Sequence, residues 1–505
     1  MKVASKRPRT GTLQLMSDRV IAFLGSNIFF WLIVALFVLQ ALWLVFSFKY
    51  AMLYDESYHY GAIMFFSQTL NPVSMSQPEQ FDTYGSFIYS NASLYHYIMA
   101  FPFRAVAAFV SNQDMQIVTL RMLNVLVAVS SLFIYRKLFN ALSIKKAVAN
   151  TALFAYVALP ITSLLSATVS YDNAIIPLTA LFLLLGVTVL KTPSEGRLRS
   201  IYLFILTGLV ASLIKFTFLP IFVAGVLFLI FMRYTQKEQT YGLTIKKYIK
   251  KRGIVLFILM CVPLVLLGAL GVARYVLPVA QYGTILPGCE ATIGKERCES
   301  MRYTNELTNK RNKQRMMPVA DYIFDWSNKM ITHFDTTGIH IPDGQGGYKS
   351  EFARRLPLQS IWITSGSLII LFCSVLMLHR HVRDKSWQFI IVTGGVFTLA
   401  LLIFNMKSYY SVNQDLNVQI RYLLGFVPVM IAFGLMSIDE IIKYKNIKLV
   451  GFAIFVLLST QGGGVIKHIV TAKDDWYWQN NTVISINDYA KKTLKSMVYE
   501  GPLPR

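Results

Sequence analysis

Acidic residues are scarce in this chain. Twenty-six Asp and Glu stand against 49 Lys and Arg, a net charge of +23, and charged residues of all kinds make up only 15% of the 505 positions. With 54% hydrophobic content and a mean hydropathy of +0.48, so little charge excludes an ordinary soluble enzyme. Cysteine is nearly absent, at four residues, so no disulfide framework carries the fold. Cys261 and Cys373 lie in apolar runs, whereas Cys289 and Cys298 share a hydrophilic loop and could pair if it faces an oxidising compartment. No P-loop, GxGxxG, zinc-ligand spacing, internal repeat or low-complexity tract is present. What the chain does have is a series of apolar runs near ~20 residues, the length that crosses a bilayer core. The basic residues are confined between those runs. That is the pattern of cytoplasmic loops and anionic-lipid contact rather than of a nucleic-acid partner.

The expected fold is therefore an all-α polytopic membrane protein. Apolar runs fall at 27–48, 93–110, 116–135, 148–168, 171–190, 201–214, 217–232, 253–272, 360–379, 387–405, 422–437 and 449–466. The basic connections 136–147, 191–200, 233–252, 379–386 and 439–448 are expected in the cytoplasm, as is the N-terminus with Lys2, Lys6, Arg7 and Arg9. These assignments agree only if one early run does not cross. The run 93–110, with His96, Pro102 and Arg104, is read as a helix in the outer leaflet. Eleven spans remain, with the C-terminus outside. The stretch 201–232 would reach about 48 Å as one helix, too long for the core, so a hairpin with Lys215 at its outer turn is expected. The organisation is a basic cytoplasmic segment (1–26), a transmembrane module (27–272) with a large first external loop (49–115), an external loop (273–358), C-terminal spans (359–466) and an external tail (467–505). The Gly-rich stretch Pro342 to Gly347 marks the 273–358 loop as a lid rather than an idle linker.

On this topology the polar residues gather on one face. Asp55, Glu56 and His59 follow the first span, and helical spacing lets all three meet. Asp172 sits in a tight connection between spans. Lys215 lies at the hairpin turn, and Arg121 within two turns of the outer end of its span. Lys407, Tyr409, Arg421 and Tyr422 flank the late external connection. Each has a bland explanation: acids at a helix start, Asp172-Asn173 as turn chemistry, Lys215 snorkelling to the interface, Arg421 anchoring headgroups beside tyrosines. His96, His333 and His340 read as ordinary loop or interface histidines. Taken together, though, carboxylates facing cations at one depth suit a reaction with a lipid-linked, anionic leaving group. Arg421 and Lys215 would stabilise a departing phosphate, and a carboxylate would deprotonate an acceptor hydroxyl. A single displacement inverts the anomeric carbon.

These residues resemble the GT-C superfamily of membrane glycosyltransferases. The resemblance runs in order over roughly residues 27–235: Asp55-Glu56 after the first span, Ser93 to Tyr97, Leu120 to Asn124, Tyr135 to Phe139, Ser170 to Asn173 and Leu213 to Pro220. The Asp-Glu-x-x-His spacing and Gln419-x-Arg421-Tyr422 are most similar to a poorly characterised bacterial branch. Protein O-mannosyltransferases and the lipid A aminoarabinose transferases are more distant. The resemblance implies a polyprenyl-phosphate-linked sugar donor and a glycan, lipid or protein acceptor of the cell envelope, in a bacterial plasma membrane. It makes Asp55 the base and Asp172 the second acidic position. Glu56 is placed with them as catalytic, and His59, Arg121, Lys215, Lys407, Tyr409, Arg421 and Tyr422 as substrate-binding. A divalent cation, Mg2+ or Mn2+, if one takes part, is expected at Asp55 and Glu56. Where the relatives often begin their amphipathic-helix motif with Lys-Pro-Pro or His-Pro-Pro, this chain has Asn91-Ala92-Ser93. A transporter of lipid-linked sugars and a non-catalytic lipid-binding subunit are the competing readings. The first lacks the repeated halves and midplane acids that transporters often show.

Overall fold

The computed structural model describes residues 12–69, 71–74, 76–88, 93–192, 194–235, 249–250, 253–301, 316–342, 348–412 and 418–501. Most of the basic 233–252 connection, Asn91-Ala92 and the Gly-rich 343–347 stretch lie outside the described residues. The elements that matter here are α1 (Thr12–Leu24), α2 (Asn27–Ser47), α3 (Glu56–Thr69), α4 (Leu94–Ala107), α5 (Gln113–Ala141), α6 (Lys146–Val157), α7 (Pro160–Ser166), α8 (Asp172–Lys191) and α9 (Ser194–Ile214). They continue with α10 (Leu219–Thr235), α11 (Ile254–Gly271), α12 (Val319–Thr332), α13 (Pro357–His381), α14 (Lys385–Val412), α15 (Val427–Ile441), α16 (Lys445–Ser459), α17 (Val465–Thr471) and α18 (Asn481–Lys495). Among the described residues the sheet is a single antiparallel hairpin, β1 (Gly338–Pro342) and β2 (Tyr348–Phe352), with Gly338 opposite Phe352.

Among the described residues eight helices are long and apolar enough to cross a membrane, and the protein is a multi-pass integral membrane protein. Side chains such as Ile258, Leu259, Val265 and Leu266 of α11 are exposed, which only an apolar solvent tolerates in such number. The expected span 148–168 is a broken one. α6 and α7 meet at 72°, with Pro160 opening α7 where its missing N–H costs nothing. The last two expected spans correspond to α15 and α16, each 15 residues and shorter than a full crossing. α4 has 14 residues with Pro102 inside it. The stretch 201–232 is the expected hairpin, α9 and α10, broken by a 3-10 turn at Phe216–Phe218.

Local chemistry sets the ends. Ser26 caps α2 by accepting from Phe29 N at 3.1 Å, and Asn112 caps α5 from Met115 N at 3.1 Å. The basic ends of several helices come together: Lys145 pairs with Asp439 at 2.6 Å, Lys445 with Asp18 at 2.5 Å, and Lys191 donates to Ala141 O at 2.5 Å. The core lies among α2, α5, α6, α8 and α15. At the opposite end, the chain leaving α2 is stitched from two distant places. Lys49 N donates to Trp476 O (3.0 Å) and Trp478 N to Ser47 O (2.9 Å), while His340 N of β1 donates to Ala51 O (2.9 Å). The loop that follows α3 is packed down on it by Gly61. A Cβ there would stand 2.3 Å from the Tyr84 ring, so only glycine permits the approach.

Candidate functional site

The stitched segment ends in an unusual turn. Tyr54 and Asp55 are both left-handed (φ 68° and 63°), a conformation that non-glycine residues rarely adopt and that marks stored strain. Asp55 and Glu56 therefore diverge, although they are neighbours in sequence. Asp55 accepts from Arg421 Nη2 at 2.7 Å and keeps 29% of its side chain exposed. Glu56 is wholly buried and takes four donors. Arg121 Nε (2.8 Å) and Val169 N (3.0 Å) reach Oε1, and Arg121 Nη2 (2.7 Å) and Met52 N (2.7 Å) reach Oε2. Arg121, equally buried, gives its remaining donors to Phe48 O (2.6 Å) and Lys49 O (3.3 Å).

Around Asp55 a second set of charges converges. Asp172 opens α8, where an acid favours the helix N-terminus, and its backbone N–H is held by Ser170 Oγ at 3.3 Å. Asn173 pins the same turn by donating to Leu165 O (2.9 Å) and Thr168 O (2.8 Å). Lys215, at the α9–α10 turn, pairs with Asp172 Oδ1 in a short contact. Arg421, in the 3-10 turn Ile420–Leu423 before α15, lies 3.9 Å from Asp172 Oδ2 through Nη1. Aromatic faces surround the cations. Lys215 Nζ lies 4.7 Å from the centre of the Tyr171 ring and 4.2 Å from that of Tyr422, and the Arg421 guanidinium is 5.0 Å from Tyr54. Two cations and two carboxylates thus balance in a nearly dry site. Even so, among the described residues Arg421 Nε and Nη1 and Asp172 Oδ2 have no hydrogen-bond partner. Burial pushes the Asp55 carboxyl up, but the Arg421 guanidinium beside it outweighs that and holds it at about 2.

The other expected residues are placed differently. Glu56 and Arg121 satisfy each other and the loop backbone, which leaves no Glu56 oxygen for a proton or a cation. Asp55 and Glu56 face different arginines. Among the described residues, no group of three or more His, Cys, Asp or Glu is arranged to hold a metal. Tyr409 accepts from Met317 N at 3.2 Å and stacks on Tyr322 of α12 (4.8 Å between ring centres), while Lys407 is exposed on α14. His59 is buried, with Nδ1 2.8 Å from Nε2 of His96. His96 is therefore no ordinary loop histidine, and Tyr54, Tyr171 and Arg274 also escaped the sequence reading. Buried Arg274 lines a small, partly open and largely apolar cavity of about 30 Å3, with Phe66, Phe87, Leu94, Leu213 and Leu270. That cavity borders the charged cluster through Leu213, two residues before Lys215. The Cys pair is joined: Cys289 and Cys298 form a disulfide, and Arg297 beside it grips Asp82 of the loop after α3 through two bonds of 2.7 Å.

No protein-family model matches the sequence, and neither does any curated protein. Among solved structures, the chain is similar to the crystal structure of ArnT from Cupriavidus metallidurans bound to undecaprenyl phosphate. The identity is 14% and the TM-score 0.48, over 92% of this chain and 69% of that one. The same protein in the apo state matches at 12% identity and a TM-score of 0.47, over 92% of this chain and 68% of the other.

Proposed function

We propose that this protein is an inverting membrane glycosyltransferase of the GT-C type, moving a sugar from a polyprenyl-phosphate donor to a cell-envelope acceptor on the outer face of a bacterial plasma membrane. The observation that carries the reading is the Asp55–Arg421–Asp172–Lys215 cluster, in which the guanidinium keeps two donors unused. A phosphate is the group that takes several charge-assisted bonds from one guanidinium and one ammonium. Arg421 and Lys215 bind it, and they stabilise the charge that builds on it as the sugar leaves.

Asp55, partly open to solvent, takes the acceptor hydroxyl's proton as the oxygen attacks the anomeric carbon from the face opposite the phosphate. In the resting site Arg421 holds Asp55 too acidic to be a strong base. A phosphate that shares the guanidinium weakens this hold, so Asp55 gains basicity when the donor is in place. Asp172 keeps Lys215 and Arg421 oriented. Glu56 and Arg121 build the loop and take no direct part.

The test is release and transfer of labelled sugar from a polyprenyl-phosphate donor by purified protein. Asp55→Asn is expected to bind donor while transfer falls by roughly 10²–10⁴-fold. Undiminished transfer by this variant, or no transfer by wild type from any polyprenyl-phosphate sugar, refutes the reading.

A further inference from the structure

The imidazole pair behind the cluster is left without a role by the mechanism above. His59 of α3 and His96 of α4 are both buried, their rings stacked at 5.2 Å, and the Nδ1 to Nε2 hydrogen bond of 2.8 Å joins them. That bond uses one nitrogen of His59. The other, Nε2, is buried with no hydrogen-bond partner among the described residues, a state that ordinarily costs a protein stability. The His59 ring packs edge-on against Tyr171 at 4.5 Å, and the Tyr171 face carries the Lys215 ammonium. His59 therefore borders the charged site across one aromatic ring.

Resting on the glycosyltransferase reading, we propose that His59 is a positioning residue that stores the proton of the reaction, becoming charged when a lipid phosphate occupies Lys215 and Arg421. The charges facing it set this behaviour. From its own segment comes Asp55; from α4, His96 and Tyr95; from the start of α8, Tyr171 and Asp172; and from the turns before α10 and α15, Lys215 and Arg421. Burial is the largest influence and keeps His59 neutral, with His96, Lys215 and Arg421 acting in the same direction and Asp55 against it. A phosphate bearing up to two negative charges, bound between those two cations, reverses the local balance and favours the imidazolium. The step balances. The acceptor oxygen forms its bond to the anomeric carbon, and the bond to phosphate oxygen breaks with its electron pair staying on the phosphate. The hydroxyl proton goes to Asp55 and then to His59, where it faces the phosphate that has just gained charge.

The product complex is therefore expected to hold one proton more than the free protein, which binding alone can show. Undecaprenyl phosphate is titrated calorimetrically into the full-length protein in detergent, in two buffers of different ionisation enthalpy, between about pH 6.5 and 8.5. Wild type is expected to take up about one proton and to lose affinity as pH rises, by at most roughly tenfold per pH unit. His59→Asn retains a group at the Nδ1 position to meet His96 but has no titrating nitrogen; it is expected to bind with the uptake and the pH dependence gone. Histidine-labelled wild type supplies a readout without substitution, because one of the seven histidines is expected to move to its imidazolium resonance on binding. Binding without proton uptake, uptake that survives in His59→Asn, or no histidine resonance moving overturns the proposal and leaves the glycosyltransferase reading standing. No binding of the lipid phosphate overturns both.

Discussion

Glu56→Gln separates a carboxylate that holds the structure from one that reacts. The Glu56 side chain has no exposed surface and is saturated by four N–H donors between 2.7 and 3.0 Å. An amide offers one oxygen and one NH2. Whichever way it is turned, two of those donors then face another donor, and the buried Arg121 guanidinium loses its counter-charge. Removing one partner of a buried ion pair costs about 3–5 kcal/mol, a large part of the ~5–15 kcal/mol that holds a typical protein folded. Asp55→Asn changes a side chain that is 29% exposed, and Arg421 retains Asp172 nearby, so its cost to stability is expected to be smaller. The assay is thermal unfolding in detergent, paired with sugar transfer measured per folded molecule. Glu56→Gln is expected to lower the melting temperature by several degrees and to reduce the folded yield. Asp55→Asn is expected to melt close to wild type and to lose transfer. A Glu56→Gln protein that melts like wild type yet transfers nothing would mean that Glu56 reacts and that its bonds to Arg121 are incidental.

Arg421→Lys keeps the charge but not the two-pronged grip, and is expected to lower kcat/KM by roughly 10- to 150-fold, the equivalent of one charge-assisted contact; near-normal transfer in a steady-state assay would reduce Arg421 to an interfacial anchor. Burial holds His59, His96 and His468 neutral, the last two at about 3, whereas the unfolded chain titrates near ~6.5. The unfolded state thus binds more protons between about pH 3 and 6.5, and stability is expected to fall as pH drops below 6.5, by roughly 1.4 kcal/mol per unit per histidine, with no such effect above it; a melting temperature that is flat from neutral pH to about pH 5 argues against buried neutral histidines. Reducing the Cys289–Cys298 disulfide is expected to loosen Arg297 from Asp82 and Gln77 and to speed hydrogen exchange across residues 77–87, while unchanged exchange would show that the clamp stands without the bond.

Much of the membrane architecture was legible in the sequence, because hydrocarbon punishes exceptions. A run of about 20 apolar residues has few alternatives to a span, and the lysine inside 201–232 required a break that α9 and α10 supply. The charges that meet in the structure stood out for the same reason: Asp172, Lys215 and Arg421 each sit at the edge of an apolar run, where a lone charge is expensive. The short α15 and α16, the helix α1 and the 72° break at Pro160 were less visible. They depend on how neighbouring helices fill space rather than on how apolar each segment is.

Expense alone does not say who pairs with whom, and there the sequence fell silent. Asp55 and Glu56 look alike as neighbours on a loop. They are parted by the left-handed turn at Tyr54 and Asp55, and the strands of contact that hold that turn come from Trp476 to Trp478 and from His340. The His59–His96 bond likewise spans 37 positions with no local pattern announcing it. What distinguishes the roles is how much bonding capacity the protein itself consumes. Glu56 and Arg121 spend theirs on each other and on four backbone groups. Among the described residues Arg421 Nε and Nη1, Asp172 Oδ2 and His59 Nε2 remain unspent, although all are buried. Dry polar atoms without partners are unfavourable unless something else completes them, and these four gather around the Tyr171 and Tyr422 rings. On the function proposed above, the phosphate accepts from the guanidinium and the acceptor hydroxyl donates to a carboxylate, which together complete them.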